Sequence, residues 1–225
     1  MRRLLLPIAI MAILTLFAAC EQDFYEKGDS ENSYLRADFV EAVVGSNKQV
    51  QYVVTDENVQ LPLSKAYTAN WIQRADTVYR AVMYYSQREN AAEVRSLSRV
   101  TTIPLTRDTT TNGSTWTSDP VGFEAAWIST SRKYLNLGLI LKMGATEKSA
   151  RPQSIGMLLN RVDTAAKGQL TGHLQLTHKQ GDVPEYYSQR VYISLPLQEL
   201  TVDTLYLTID TYDGVVRKGF LLSKD

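Results

Sequence analysis

Three observations place this chain of 225 residues in the all-β class with two domains: apolar residues recurring at every second position, turn-forming clusters between those runs, and no sustained helical stripe. The clearest strand is Leu135 to Met143. Leu135, Leu137, Leu139, Leu141 and Met143 fall on one face and Asn136, Gly138, Ile140 and Lys142 on the other. Val191, Ile193, Leu195 and Leu197 repeat the pattern, as do Leu205, Leu207 and Ile209, with Arg190, Ser194, Thr204 and Thr208 turned outward. In the first half, Tyr79, Ala81, Met83 and Tyr85 form a row opposite Val78, Arg80, Val82 and Tyr84, which predicts a strand buried on one side and partly covered on the other.

The turns follow the same logic. Thr55-Asp56-Glu57-Asn58, Gly181-Asp182 and Asp213-Gly214 stand between apolar runs and each suits a hairpin. Pro62 and Pro196 cannot donate to a ladder, which places their strands at edges or bulges. Ala66 to Asp76 has room for one short turn of helix. The polar stretch from Arg107 to Pro120 is the best interdomain boundary, the alternative being one long surface hairpin within a single sandwich.

The first twenty residues set the address. Arg2-Arg3, an apolar run from Leu4 to Phe17 and Ala18-Ala19-Cys20 have the layout of a bacterial lipoprotein signal, with Leu16 and the apolar Phe17 in place of the usual leucine three residues before the cysteine. The run is short for a membrane-spanning helix, which needs about 20 residues, so residues 1–19 are expected to be removed and Cys20 to carry lipid. Cys20 is the one cysteine, so no internal disulfide exists, and thioether formation would remove an otherwise exposed thiol. Stable attachment takes two or more acyl chains, here a diacylglyceryl group and an amide-linked chain such as palmitate. With Glu21 following the cysteine, the outer membrane is the expected destination, facing the periplasm or the cell surface. An ordinary secretory signal cut near Ala18-Ala19 is the other reading.

Cleavage before Cys20 leaves 206 residues carrying 22 basic and 24 acidic side chains, a net charge of −2. That balance gives no electrostatic drive toward nucleic acid. Residues 20–33 are polar and acidic and read as a tether. Residues 34–106 form the first β domain, 107–119 a Ser/Thr-rich linker and 120–225 the second β domain.

The second half resembles the NigD-like lipoproteins of Bacteroides-type bacteria. The resemblance rests on Lys133-Tyr134-Leu135-Asn136-Leu137, His173-Leu174-Gln175-Leu176-Thr177-His178 followed by Gly181-Asp182, Val191-Tyr192-Ile193-Ser194-Leu195, and Asp203-Thr204-Leu205-Tyr206-Leu207. It implies an N-terminal OB-like small barrel followed by a C-terminal antiparallel β-sandwich, and a cell-envelope lipoprotein without assigned catalytic residues. The family name also suggests an immunity role at bacteriocin loci. Asp76-Thr77, Asp108-Thr109, Asp163-Thr164 and Asp203-Thr204 resemble the Asp-Thr-apolar sites that such bacteria O-glycosylate, with Thr109 in the linker the best placed, followed by Thr77, Thr164 and Thr204. Asp-Thr also simply marks turn-to-strand junctions.

The residues supply no catalytic or metal constellation. His173 and His178 are the only histidines, and a spacing of five puts them on opposite faces of one strand, with His178 on the apolar side and His173 toward solvent. There is no Gly-x-Ser-x-Gly elbow and no phosphate loop, so no cofactor is implied. The carboxylate pairs Asp38 with Glu41 and Asp210 with Asp213 read as solvated strand edges or turns. Of 13 tyrosines, Tyr84-Tyr85 and Tyr186-Tyr187 are adjacent, so one ring of each pair points outward if both lie in strands; Tyr84 and Tyr186 are the candidates for stacking on a sugar, ahead of Trp116 and Trp127. The expected function is a non-catalytic, lipid-anchored interaction module whose partners are the membrane, through Cys20, and another envelope protein. A glycan-binding lipoprotein of a nutrient-uptake system and an immunity protein are the alternatives.

Overall fold

A computed structural model describes residues 35–107, 117–147, 150–165 and 168–222. The signal segment, Cys20, the tether, Thr109 and Trp116 lie outside the described residues.

The first domain is a closed barrel of β1 (Leu35–Val44), β2 (Val50–Thr55), β3 (Gln60–Tyr67), β4 (Thr77–Arg88) and β5 (Ala91–Arg99), joined in the order β1-β2-β3-β5-β4. That order, closed on itself, is OB-like. Period-two alternation carries Val40, Ala42, Val44, Val53, Ala81, Met83 and Tyr85 into one core. Tyr85 is fully buried and donates its hydroxyl proton to Asp38 Oδ2 at 2.6 Å. Burial, then this carboxylate, pushes the phenol well above its usual range. The Thr55–Asn58 turn joins β2 to β3, with the Thr55 hydroxyl accepting from Glu57 N and Val59 N.

The second domain stacks two sheets. One has the order β14-β13-β11-β10-β7 and the other β6-β12-β9-β8. Their strands are β6 (Thr101–Thr102), β7 (Leu105–Arg107), β8 (Gly122–Ile128), β9 (Tyr134–Met143), β10 (Ser154–Thr164), β11 (Leu170–Lys179), β12 (Tyr187–Pro196), β13 (Thr204–Thr211) and β14 (Gly214–Leu221). Between the sheets lie Leu135, Leu137, Leu139, Leu174, Leu176, Ile193, Leu195, Leu205, Leu207 and Ile209, the rows that the alternation marked. The fold is therefore the expected all-β arrangement, an OB-like barrel followed by a β-sandwich, and both belong to one compact unit that begins at Arg36.

Four local expectations differ from what is found. The sandwich takes its first strands from β6 and β7, ahead of the expected start at residue 120, because Thr101–Thr102 pair with Ile193–Ser194 and Leu105–Arg107 with Met157–Leu159. Gly181-Asp182 is a turn but closes no hairpin: β11 and β12 lie in different sheets, and the turn carries the chain across. Gly181 is needed there, since its φ is +63° and a Cβ would come within 2.5 Å of the Arg151 carbonyl oxygen. Ala66 to Asp76 holds no helix; a single hydrogen bond from Ile72 N to Ala69 O turns it. For the prolines the expectation of edges or bulges holds at Pro62, which lies beside an irregularity in the β2–β3 register of the closed barrel, and fails at Pro196, which ends β12 between β6 and β9.

Candidate functional site

The strongest concentration of polar chemistry lies where β4 of the barrel meets β9 and β12 of the sandwich. β4 turns Tyr79, Ala81, Met83 and Tyr85 inward, so Arg80 and Val82 face out of the barrel, yet both are buried because the sandwich covers them. Likewise β9 sends Leu135 and Leu137 into the sandwich core and Asn136 toward the barrel, where it is fully buried with Ser194. The outward prediction for Ser194 is thus right for the sandwich core and overturned for solvent: a second layer supplies the cover.

Arg80 organises this seam. Its Nη1 and Nη2 each lie 2.7 Å from an Asp56 carboxylate oxygen, a two-pronged pair. Nη2 also donates to Asn136 Oδ1 at 3.2 Å and Nε to Ser194 Oγ at 3.4 Å. The Ser194 hydroxyl donates to Asn136 Oδ1 at 2.7 Å, and Asn136 Nδ2 donates to Asp56 Oδ2 at 3.3 Å. Asp56 comes from the β2–β3 turn, so the hairpin turn predicted from sequence has a second task. The guanidinium lies 4.2 Å from the Tyr134 ring centroid and 5.3 Å from that of Phe39. Phe39 in turn meets Trp127 and Tyr192 edge-on, at 5.3 and 5.4 Å.

Beside it, Glu41 accepts from Tyr134 Oη at 2.8 Å and from Lys133 Nζ at 2.9 Å. Burial alone would raise the Glu41 carboxyl, but the two hydrogen bonds and the Lys133 and Arg80 charges outweigh it and hold the group below its usual range. Burial, then the hydrogen bond to Glu41, pushes the Tyr134 phenol up to about 12.

Two clefts open along this seam and share Arg99 and Val100. The larger, about 540 Å³, is walled by Arg74, Thr77, Tyr79, Arg99, Glu41 and Tyr134 among others. Tyr79 Oη accepts from Gln73 N and Arg74 N, at 3.2 and 2.9 Å, which leaves its own proton free to donate. The second, about 430 Å³, is walled by Tyr84, Arg99, Gln189, Arg190 and Tyr192. Neither Arg74 nor Arg99 has a carboxylate partner among the described residues, whereas Arg190 is held by Glu124 at 2.6 and 2.7 Å. The seam can therefore offer guanidinium, phenol and aromatic groups to a partner, with Arg99 lying 5.5 Å from the Tyr79 ring centroid and two arginines free of carboxylates.

The residues singled out in sequence are scattered. Tyr84 is exposed while Tyr85 is buried, as adjacency in a strand requires, and Tyr84 borders the second cleft. Tyr186 and Tyr187 are both exposed: Tyr186 precedes β12, joined to β9 by a hydrogen bond from its N to Met143 O, and Tyr187 begins the strand. Trp127 is packed into the seam under Phe39 rather than offered to a ligand. Thr77 starts β4 and borders the larger cleft, Thr164 ends β10 exposed, and Thr204 starts β13 half-buried. His178 is buried on the core side, its Nδ1 3.1 Å from the Asp119 carbonyl oxygen, and His173 stands on the opposite face. Among the described residues no three His, Cys, Asp or Glu side chains are grouped to hold a metal ion.

Arg80, Asp56, Asn136 and Ser194 were missed as a set. The sequence carried a signal for two of them: an arginine between Val78 and Val82 on a strand whose other face is apolar, and an asparagine inside the run Tyr134 to Met143. Polar residues in doubly apolar strands mark a second buried layer.

No protein-family profile and no curated protein sequence matches the chain. Solved structures do. A NigD-like immunity protein from Bacteroides caccae superposes with a TM-score of 0.61 at 22% identity, over 83% of this chain and 97% of that one. A protein of unknown function from Bacteroides vulgatus gives 0.58 at 15%, over 84% and 92%, and a candidate lipoprotein from Bacteroides fragilis gives 0.58 at 9%, over 83% and 96%. At these identities the likeness is one of fold, and it coincides with the family that the sequence resembles.

Proposed function

We propose that this chain is a NigD-like, lipid-anchored envelope protein that acts by binding rather than by catalysis, and that the seam between barrel and sandwich is the surface it presents to another envelope protein. The observation that carries this is the seam itself: a buried network fixes two domains against each other and leaves adjoining clefts lined by Arg74 and Arg99, which have no carboxylate partner among the described residues, and by the exposed Tyr84 ring. Neighbours described as a lipoprotein and as an immunity protein support the placement in the envelope. Anchoring would come from lipid on Cys20 at the outer membrane.

Two experiments test the reading. Replacing Cys20 with Ser should move the protein from the membrane to the soluble fraction; a variant that stays membrane-bound refutes lipid anchoring there. Crosslinking from native membranes should capture a defined envelope protein with the unaltered chain and lose it with Arg99→Glu or Tyr84→Ala, each still folded. Capture that survives both changes refutes the seam as the docking surface. A glycan-binding role is the second reading, favoured by Tyr84 standing beside Tyr192 in one cleft. The likeness in fold to a NigD-like immunity protein from Bacteroides caccae motivates the third, an immunity function.

A further inference from the structure

The outer face of the sandwich carries a second, independent arrangement. Strand registers align Arg161 with His173, His173 with Tyr206, and Tyr206 with Gly219, so four strands place these residues in one row across the sheet. At about 4.8 Å per strand the row is about 14 Å long. His173 and Tyr206 rings are stacked, 5.7 Å between centroids and 25° from parallel. The Tyr206 ring lies over Gly219, where a Cβ would come within 3.0 Å of Cε1. A glycine inside the neighbouring strand is what lets the phenol approach its backbone so closely, and Tyr206 remains 47% exposed.

Polar groups border this ring pair. Asn160, Arg161, Thr208 and Arg217 line a depression of about 380 Å³ with His173 and Tyr206. Asp163 is taken up by Arg161 at 3.1 Å and by His173 Nε2 at 2.8 Å. The Arg161 hydrogen bond, against a smaller burial effect and with His173 adding to it, holds the Asp163 carboxyl below its usual range, so it stays ionised. Arg217 stands beside Thr208 in the β13–β14 ladder, and its side chain has no ion-pair or hydrogen-bond partner among the described residues. With Arg161 and Asp163 cancelling, Arg217 leaves the patch with an excess positive charge.

We infer that this row is a binding site for a carboxylate-bearing saccharide, with one sugar ring stacked on Tyr206 and its acidic group paired with Arg217. The electron-rich face of an aromatic ring attracts the weakly positive C–H edge of a pyranose, and a planar guanidinium matches a carboxylate in two-pronged fashion. Asn160 and Thr208 supply hydrogen bonds for ring hydroxyls. Tyr206 could serve only to shield the Gly219 backbone, but that role needs neither an uncommitted arginine nor a histidine ring stacked beside the phenol. The site shares no residue with the seam, so its fate and that of the seam are decided separately.

The test is calorimetric titration of the full chain, in detergent, with a short galacturonic-acid oligosaccharide and with its methyl ester. The acid should bind and the ester should bind more weakly. Arg217→Gln should abolish the difference between them while keeping the melting temperature. Tyr206→Leu should weaken both by about tenfold or more, and Tyr206→Phe should bind like the native chain. If Tyr206→Leu fails to fold, Arg217→Gln and Tyr206→Phe decide. No heat with either saccharide, equal affinity for acid and ester, or an acid preference that survives Arg217→Gln would overturn the assignment.

Discussion

Arg80→Ala removes the centre of the seam, and its cost can be worked from the contacts. Asp56 loses its ion pair and the Nη2 hydrogen bond and keeps one donor, Asn136 Nδ2 at 3.3 Å, while its side chain is 18% exposed. Removing one partner of a buried ion pair costs about 3–5 kcal/mol, and the partial access of Asp56 to water argues for the lower part of that range. Loss of the guanidinium over Tyr134 adds about 0.5–1 kcal/mol. A total of about 4 kcal/mol corresponds, at roughly 2–4 °C per kcal/mol for a chain of this size, to a melting temperature lower by about 8–16 °C. Urea titration followed by tryptophan fluorescence reads the loss, because Trp71 sits in the barrel and Trp127 in the seam. Calorimetry should also show the single unfolding transition broaden or split as the two domains lose their coupling. In a double-mutant cycle, Asp56→Asn with Arg80→Met should cost about 2 kcal/mol less than the two single changes added together. A loss below about 1 kcal/mol with one unchanged transition would refute the view that this pair joins the domains.

Glu41 is ionised in the fold at a lower pH than in the unfolded chain, so its contribution is complete above its ordinary range near 4.5 and is lost as pH falls through the folded value. Acid titration of stability should therefore show a shallower decline below about pH 5 for Glu41→Gln than for the native chain, and an identical slope counts against it. The same substitution should bring the Tyr134 phenol down from about 12, read by ultraviolet absorbance; an unmoved titration would mean burial alone is responsible. Tyr85→Phe should cost about 1–2 kcal/mol by urea titration, since it leaves Asp38 Oδ2 without its 2.6 Å donor. Leu137→Ala, at a fully buried position between the sheets, should cost about 2–5 kcal/mol.

The parts of this molecule written in local pattern were readable from sequence. Period-two rows gave the strands and the inward faces, from Tyr79–Tyr85 to Leu205–Ile209, because each alternation reports one buried side. Asp213-Gly214 gave its hairpin because Gly214, at φ +113°, satisfies a local backbone demand. Pairing between distant strands is a different kind of information. Nothing near Gly181-Asp182 says that β12 joins the other sheet, and nothing in Thr101–Arg107 announces parallel partners near residues 157 and 193. The seam was half legible for the same reason: Arg80 looked out of place in its strand, but Asp56, Asn136 and Ser194 meet it only through tertiary packing. The row across the sandwich depends on the registers of four strands at once, and no single segment records it.

The short stretch after the barrel enters both sheets of the sandwich, β6 beside β12 and β7 beside β10. A cut at residue 120 would therefore strip each sheet of a border strand and bare the backbone donors and acceptors of β12 and β10 to self-association. The two halves cannot be excised cleanly or exchanged as interchangeable cassettes. During synthesis the barrel emerges first, but the seven residues that follow it must wait for strands made some fifty to ninety positions later. Their late insertion stitches the finished sandwich to the barrel's exit.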